Sequence, residues 1–116
     1  MRSVRRINSN NKEDDMKLIT KEIERKLEQV PLYSQEKNDN PEIVVKFFTP
    51  DAQWTWYVIE GEKREDGDWL FFGYVVGFEA ELGYFALSDL TVIRGPLGLG
   101  VERDMYFKGT LNDVLK

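Results

Sequence analysis

Two runs, QWTWYVIE at 53–60 and WLFFGYVV at 69–76, are built from β-branched and aromatic residues and have no polar side. Along an extended chain the first run places Trp54, Trp56 and Val58 on one side and Thr55, Tyr57 and Ile59 on the other. Such strands belong either in a sheet covered on both faces or in a sheet that keeps one face for a partner. The fold is therefore constrained first by what can cover them.

The flanking segments supply candidates. IVVKFF (43–48) reads as a strand, TPDA (49–52) as a tight turn, and GEKREDGD (61–68) as a charged loop containing Asp66-Gly67, so strands 43–48, 53–60 and 69–76 form a meander. A fourth short strand is expected around Tyr84 and Phe85, followed by a helical turn capped by Ser88. RGPLGLG (94–100) is a glycine loop, VERDMYFKG (101–109) a last strand, and TLNDVLK a terminal helix in which Thr110 and Asp113 have capping-box spacing. Upstream, MKLITKEIERKLEQV has Thr20 as a helix cap, Glu22 and Glu24 in the first turns, an apolar stripe of Ile23, Leu27 and Val30, and Pro31 at its end. LYSQEKNDNPE (32–42) is a polar connecting loop anchored by Leu32 and Tyr33.

The expected fold is α+β: a mainly antiparallel sheet of four to five strands, an N-terminal helix on one face and a short C-terminal helix. Residues 87–116 are available to cover the second face. At 116 residues the chain suits one domain, taken as 16–116. Residues 1–15, MRSVRRINSNNKEDD, have almost no apolar content and are expected to be a disordered extension.

Composition removes several chemistries. There is no Cys and no His, which excludes disulfides, thiolate nucleophiles, Cys/His zinc sites and imidazole-based triads. No apolar run approaches the length of a spanning helix and the first residues lack a signal peptide's apolar stretch, so a cytoplasmic location is expected. The net charge is −5. Residues 1–15 hold four basic and three acidic residues, leaving −6 on the remainder, which argues against a broad grip on nucleic acid.

Fourteen of the fifteen aromatic residues lie between Phe47 and Phe107. The plain reading is that they fill a small core. The sharper reading is a recognition face, for which Trp54, Trp56, Tyr57, Trp69, Phe72 and Tyr84 are the candidates. Rings on a sheet also suit single-stranded nucleic acid, but Lys46, Lys63, Arg64 and Lys108 are scattered among carboxylates. EGEKREDGD fails as a calcium loop, because Arg64 would stand at a ligand position and Gly73 where a bidentate Glu is needed. Around the glycine loop, Arg94 and Arg103 could contact an anion or carboxylate, or form internal salt bridges with Glu102 and Asp104. Asp51 and Asp104 are the nominees for carboxylate chemistry among 21 acidic residues.

LITKEI (18–23), VKFFTPDAQWTWYVIEGE (45–62), DWLFFGYVVGFEAELGYFALSDL (68–90) and RGPLGLGVERDMYF (94–107) together resemble the bacterial family catalogued as domain of unknown function 2958. The resemblance covers most of residues 16–109. It implies a small bacterial protein often encoded on plasmids, phages and integrating elements, sometimes joined to DNA-processing or antirestriction polypeptides, and implies no established activity. Gly100 departs from the family pattern, which favours proline there. On this basis the chain is expected to be a non-enzymatic protein-interaction module, with no metal or cofactor, a protein partner, no membrane association, and a monomeric or homodimeric state. The alternatives are a carboxylate- or magnesium-dependent hydrolase or nucleic-acid-processing accessory, and a single-strand binder.

Overall fold

The computed structural model describes residues 18–104 and 106–115. The expected tail at 1–15 and the opening of the helical segment at 16–17 lie outside them. The elements in chain order are α1 (Lys21–Glu28), β1 (Val45–Phe48), β2 (Thr55–Lys63), β3 (Trp69–Val76), β4 (Ala80–Ala86), α2 (Leu87–Thr91), β5 (Glu102–Asp104) and α3 (Leu111–Val114). The five strands form one antiparallel sheet in the order β4-β3-β2-β1-β5. The α+β architecture is the expected one.

Helix α1 begins where its cap dictates: the Thr20 hydroxyl accepts from the Ile23 N–H at 3.1 Å. Its apolar stripe lies on one face of the sheet. Leu27, fully buried, packs with Phe47, Trp56, Val58, Trp69, Phe71, Phe85 and Leu90 of α2 in the larger of two clusters. Lys63 at the end of β2 pairs with Glu24 at 3.4 Å, fastening the helix to the sheet.

On the opposite face Ile43, Ile59, Tyr74 and Leu111 make a second, smaller cluster, with Tyr57, Val76, Phe107 and Val114 against it. The C-terminal segment therefore covers part of that face. α3 opens on Thr110, whose N–H donates to the Asp113 carboxylate at 2.8 Å, in keeping with the capping-box spacing. Both sides of the central β2–β3 pair are thus packed, and the alternation read from 53–60 holds as far as Ile59.

At Glu60 it breaks. Val58 pairs with Gly73 and Glu60 with Phe72, so two steps on β2 match one on β3, and Ile59 is the extra residue of a bulge. Ile59 and Glu60 both turn toward the second face, and Gly61 returns to the first, in contact range of Leu27 and Phe71. Because β1 is short, the Gly61 N–H is free of it and donates to the Val30 carbonyl at 3.2 Å. There the chain crosses from the α1 face to the other.

Three expectations need correction. Ser88 does not cap a helical turn. It lies inside α2, which starts after Ala86, with the Asp89 carboxylate accepting from the Ala86 N–H at 3.0 Å. Among the described residues, the strand expected over 101–109 extends only over Glu102–Asp104, which pairs with Lys46, Phe47 and Phe48 of β1. β4 is longer than expected, because β3 presents seven residues for pairing. The glycine loop is a turn, closed by a bridge between Arg94 and Gly100 and by the Gly98 N–H on the Gly95 carbonyl at 2.9 Å.

Candidate functional site

The bulge and the crossing loop together make a cavity of about 240 Å³ on the second face. β2 contributes Ile59 and Glu60, β3 Phe72, β4 Leu82 and Tyr84, the loop Tyr33, Gln35, Glu36, Asn38 and Pro41, and α3 Leu111. Glu60 is only 3% exposed. One of its carboxylate oxygens accepts from the Tyr33 N–H at 2.8 Å and the other from the Gln35 N–H at 2.7 Å. A carboxylate with so little water needs such donors.

Tyr33 has a φ of 73°, in the left-handed region that side chains with a Cβ seldom occupy. Held there, its ring stands 64% exposed at the mouth of the cavity, with its centroid 6.5 Å from that of Tyr84. Tyr84, 52% exposed, lies 5.0 Å from Phe72, its cross-strand neighbour. The Tyr84 phenol is held above its ordinary value of 10.0, mainly by the Tyr33 hydroxyl, then by burial and by the charges of Tyr33, Glu60 and Glu36. Beside the rings, β4 is an edge strand with no strand on its outer side among the described residues.

Of the sequence candidates, Phe72 and Tyr84 therefore come together at this cavity. The tryptophans do not. Trp56 and Trp69 are core residues on the opposite face, each 5% exposed, and offer no surface to a partner. Trp54 is 36% exposed, stacks on Trp56 at 6.0 Å and meets the edge of Phe78, itself 95% exposed in the turn between β3 and β4. Tyr57 is half-buried beside Tyr74 and Phe107, with the Lys46 ammonium 5.7 Å from its ring centroid.

The four charges near the glycine loop do not pair with one another among the described residues. Asp104 meets Lys46, its neighbour in the β1–β5 register, at 3.7 Å. Arg103 falls on the other side of β5 by alternation and carries a buried Nη1 with no hydrogen-bond partner. The Arg94 Nη1 donates to the carbonyls of Ile93 and Thr91 at 2.8 and 3.0 Å. Asp51 is engaged by the loop itself: one carboxylate oxygen accepts from the Leu97 N–H at 2.7 Å and the Leu99 N–H at 3.4 Å. Asp51 and Asp104 thus lie in separate environments. Among the described residues no group of three or more acidic side chains is placed to hold a metal ion, and no helix is long and apolar enough to cross a membrane.

As site residues, Glu60, Tyr33 and Leu82 escaped the reading of the sequence. Glu60 looks like the solvated end of a strand, and Gly61 directly after it, a residue that often marks a bulge, is the one local signal to the contrary.

A family model described as a protein of unknown function, DUF2958, matches residues 18–113. No curated protein and no solved structure matches the chain.

Proposed function

For a chain that belongs to the DUF2958 family of proteins of unknown function, we propose a non-enzymatic role as a protein-interaction module, with Tyr33, Phe72, Leu82, Tyr84 and the open edge of β4 as its contact surface. The observation that carries this reading is the juxtaposition of a ring-lined cavity with a seven-residue strand whose outer edge, among the described residues, carries no further strand. An exposed strand edge offers backbone donors and acceptors, and a neighbouring apolar cavity supplies selectivity. The rings come with carboxylates and no Lys or Arg, the reverse of what a phosphate backbone requires. On this reading the protein serves as an accessory or counter-defence component of a bacterial mobile element and acts in the cytoplasm.

The test is photocrosslinking in the native host background, with benzoylphenylalanine installed at Leu82 and, separately, at Leu97 in the glycine loop, which is 79% exposed. A discrete adduct from position 82 alone is expected. Adducts from position 97 alone would move the interface to the Trp54–Phe78 end of the sheet.

A further inference from the structure

The cavity has a sign. Its charged lining is Glu60 and Glu36, with no basic side chain. Among the described residues the ion pairs are Lys46 with Asp104 and Lys63 with Glu24, so none reaches Glu60, whose charge is met by two backbone N–H groups. The rings of Tyr33, Phe72 and Tyr84 present faces that attract cations. From Trp69 to Ile93, through both strands of the edge hairpin, the sequence has no Lys or Arg but has Glu79, Glu81 and Asp89.

We infer that the cavity receives the basic side chain, alkylammonium or guanidinium, of an extended peptide segment that adds to the outer edge of β4. The inference rests on the proposed interaction surface and supplies its ligand chemistry. A strand added to β4 sends alternate side chains to the ringed face, and one opposite Tyr84 stands over the cavity. At about 240 Å³ the space suits one long side chain and lies below the size range of most drug-like ligand sites. The acidic edge selects a basic segment by charge, and the incoming cation gives Glu60 the counter-charge that the fold leaves out.

The test is a titration of the full chain followed by backbone amide NMR, using an acetylated, amidated peptide Val-Thr-Lys-Thr-Val, its norleucine counterpart, and n-butylammonium. The lysine peptide is expected to shift the Tyr33 and Gln35 amides, which report on Glu60, together with those of β4. The norleucine peptide should bind roughly fivefold or more weaker, the loss of one desolvated cation–π and charge contact. Tyr84→Leu, a change at a half-exposed ring that leaves the core intact, should erase most of that difference. Equal binding by the two peptides overturns the inference, as does butylammonium moving the cavity amides while the lysine peptide leaves β4 untouched, which makes the site one for free amines. Concentration-dependent shifts of β4 without peptide overturn it in favour of a second copy of the chain. If Leu82 crosslinks to a partner while no probe moves Tyr33 or Gln35, the ligand chemistry fails and the interaction surface stands. Shifts with the lysine peptide and no crosslink uphold the ligand chemistry and overturn the surface as a site of protein contact in the host.

Discussion

Glu60 and Tyr33 fix each other: the carboxylate accepts the Tyr33 N–H at 2.8 Å, and that contact holds Tyr33 at a φ of 73°. The pair joins the crossing loop to the bulged strand. Glu60→Leu deletes the acceptor for this N–H and for that of Gln35, and is expected to cost about 2–4 kcal/mol, measured as the shift in urea midpoint at constant m-value. Glu60→Gln keeps one acceptor oxygen and should lose roughly half as much.

Two glycines facing each other across β3 and β4 should respond in opposite ways. A Cβ on Gly73 would overlap the Tyr57 carbonyl, so Gly73→Ala is expected to destabilise by more than about 3 kcal/mol and to lower soluble yield. A Cβ on Gly83 meets nothing within 4 Å. Gly83→Ala should be neutral or stabilising by up to about 1 kcal/mol, read from the thermal midpoint.

Acrylamide should quench only part of the tryptophan fluorescence. Trp54 is 36% exposed, whereas Trp56 and Trp69 are 5% each. The Stern–Volmer plot is expected to curve downward, and Trp54→Phe should remove the accessible fraction and leave a nearly flat line.

Asp68 ties the β3 strand to α2: its carboxylate accepts from the Ser88 hydroxyl at 2.7 Å, the Ser88 N–H at 3.1 Å and the Trp69 N–H at 2.8 Å. Burial opposes its ionisation, but Ser88, Trp69 and the Arg64 charge together hold its pKa below the ordinary 3.8. A carboxyl with a depressed folded pKa stabilises fully above its unfolded value and loses that contribution as pH falls through the folded one. Wild type should therefore lose stability relative to Asp68→Asn on acidification below about pH 4, while the two keep a constant difference between pH 5 and 8. Parallel urea titrations across pH 2–8 measure it.

The strand pattern was legible wherever side chains announce their surroundings. The limits of β3 and the cap at Thr20 follow from local chemistry that no distant contact overrides. The partners of Ser88 and Glu60 were not legible, because Asp68 lies 20 residues from Ser88, and Tyr33 lies 27 from Glu60. A hydroxyl near a helix start satisfies a capping rule equally well whether or not a carboxylate waits across the sheet. The aromatic content misled by degree: Phe72 and Tyr84 reach the surface cavity, while Trp56 and Trp69, of the same residue chemistry, sit in the core on the other face of the sheet.

The extra residue at Ile59 has a consequence for how such a surface changes within a lineage. Point substitutions in β2 can alter the chemistry of the cavity, but the presence of an additional side chain in its floor is a matter of reading length. Loss of the single codon for Ile59 would restore strict alternation with Glu60 still opposite Phe72 on the second face, and would take from that face the side chain that packs with Ile43, Tyr74 and Leu111 and lines the cavity. Among related sequences, a deletion at this one position should change the floor of the cavity while the carboxylate at Glu60 keeps its place.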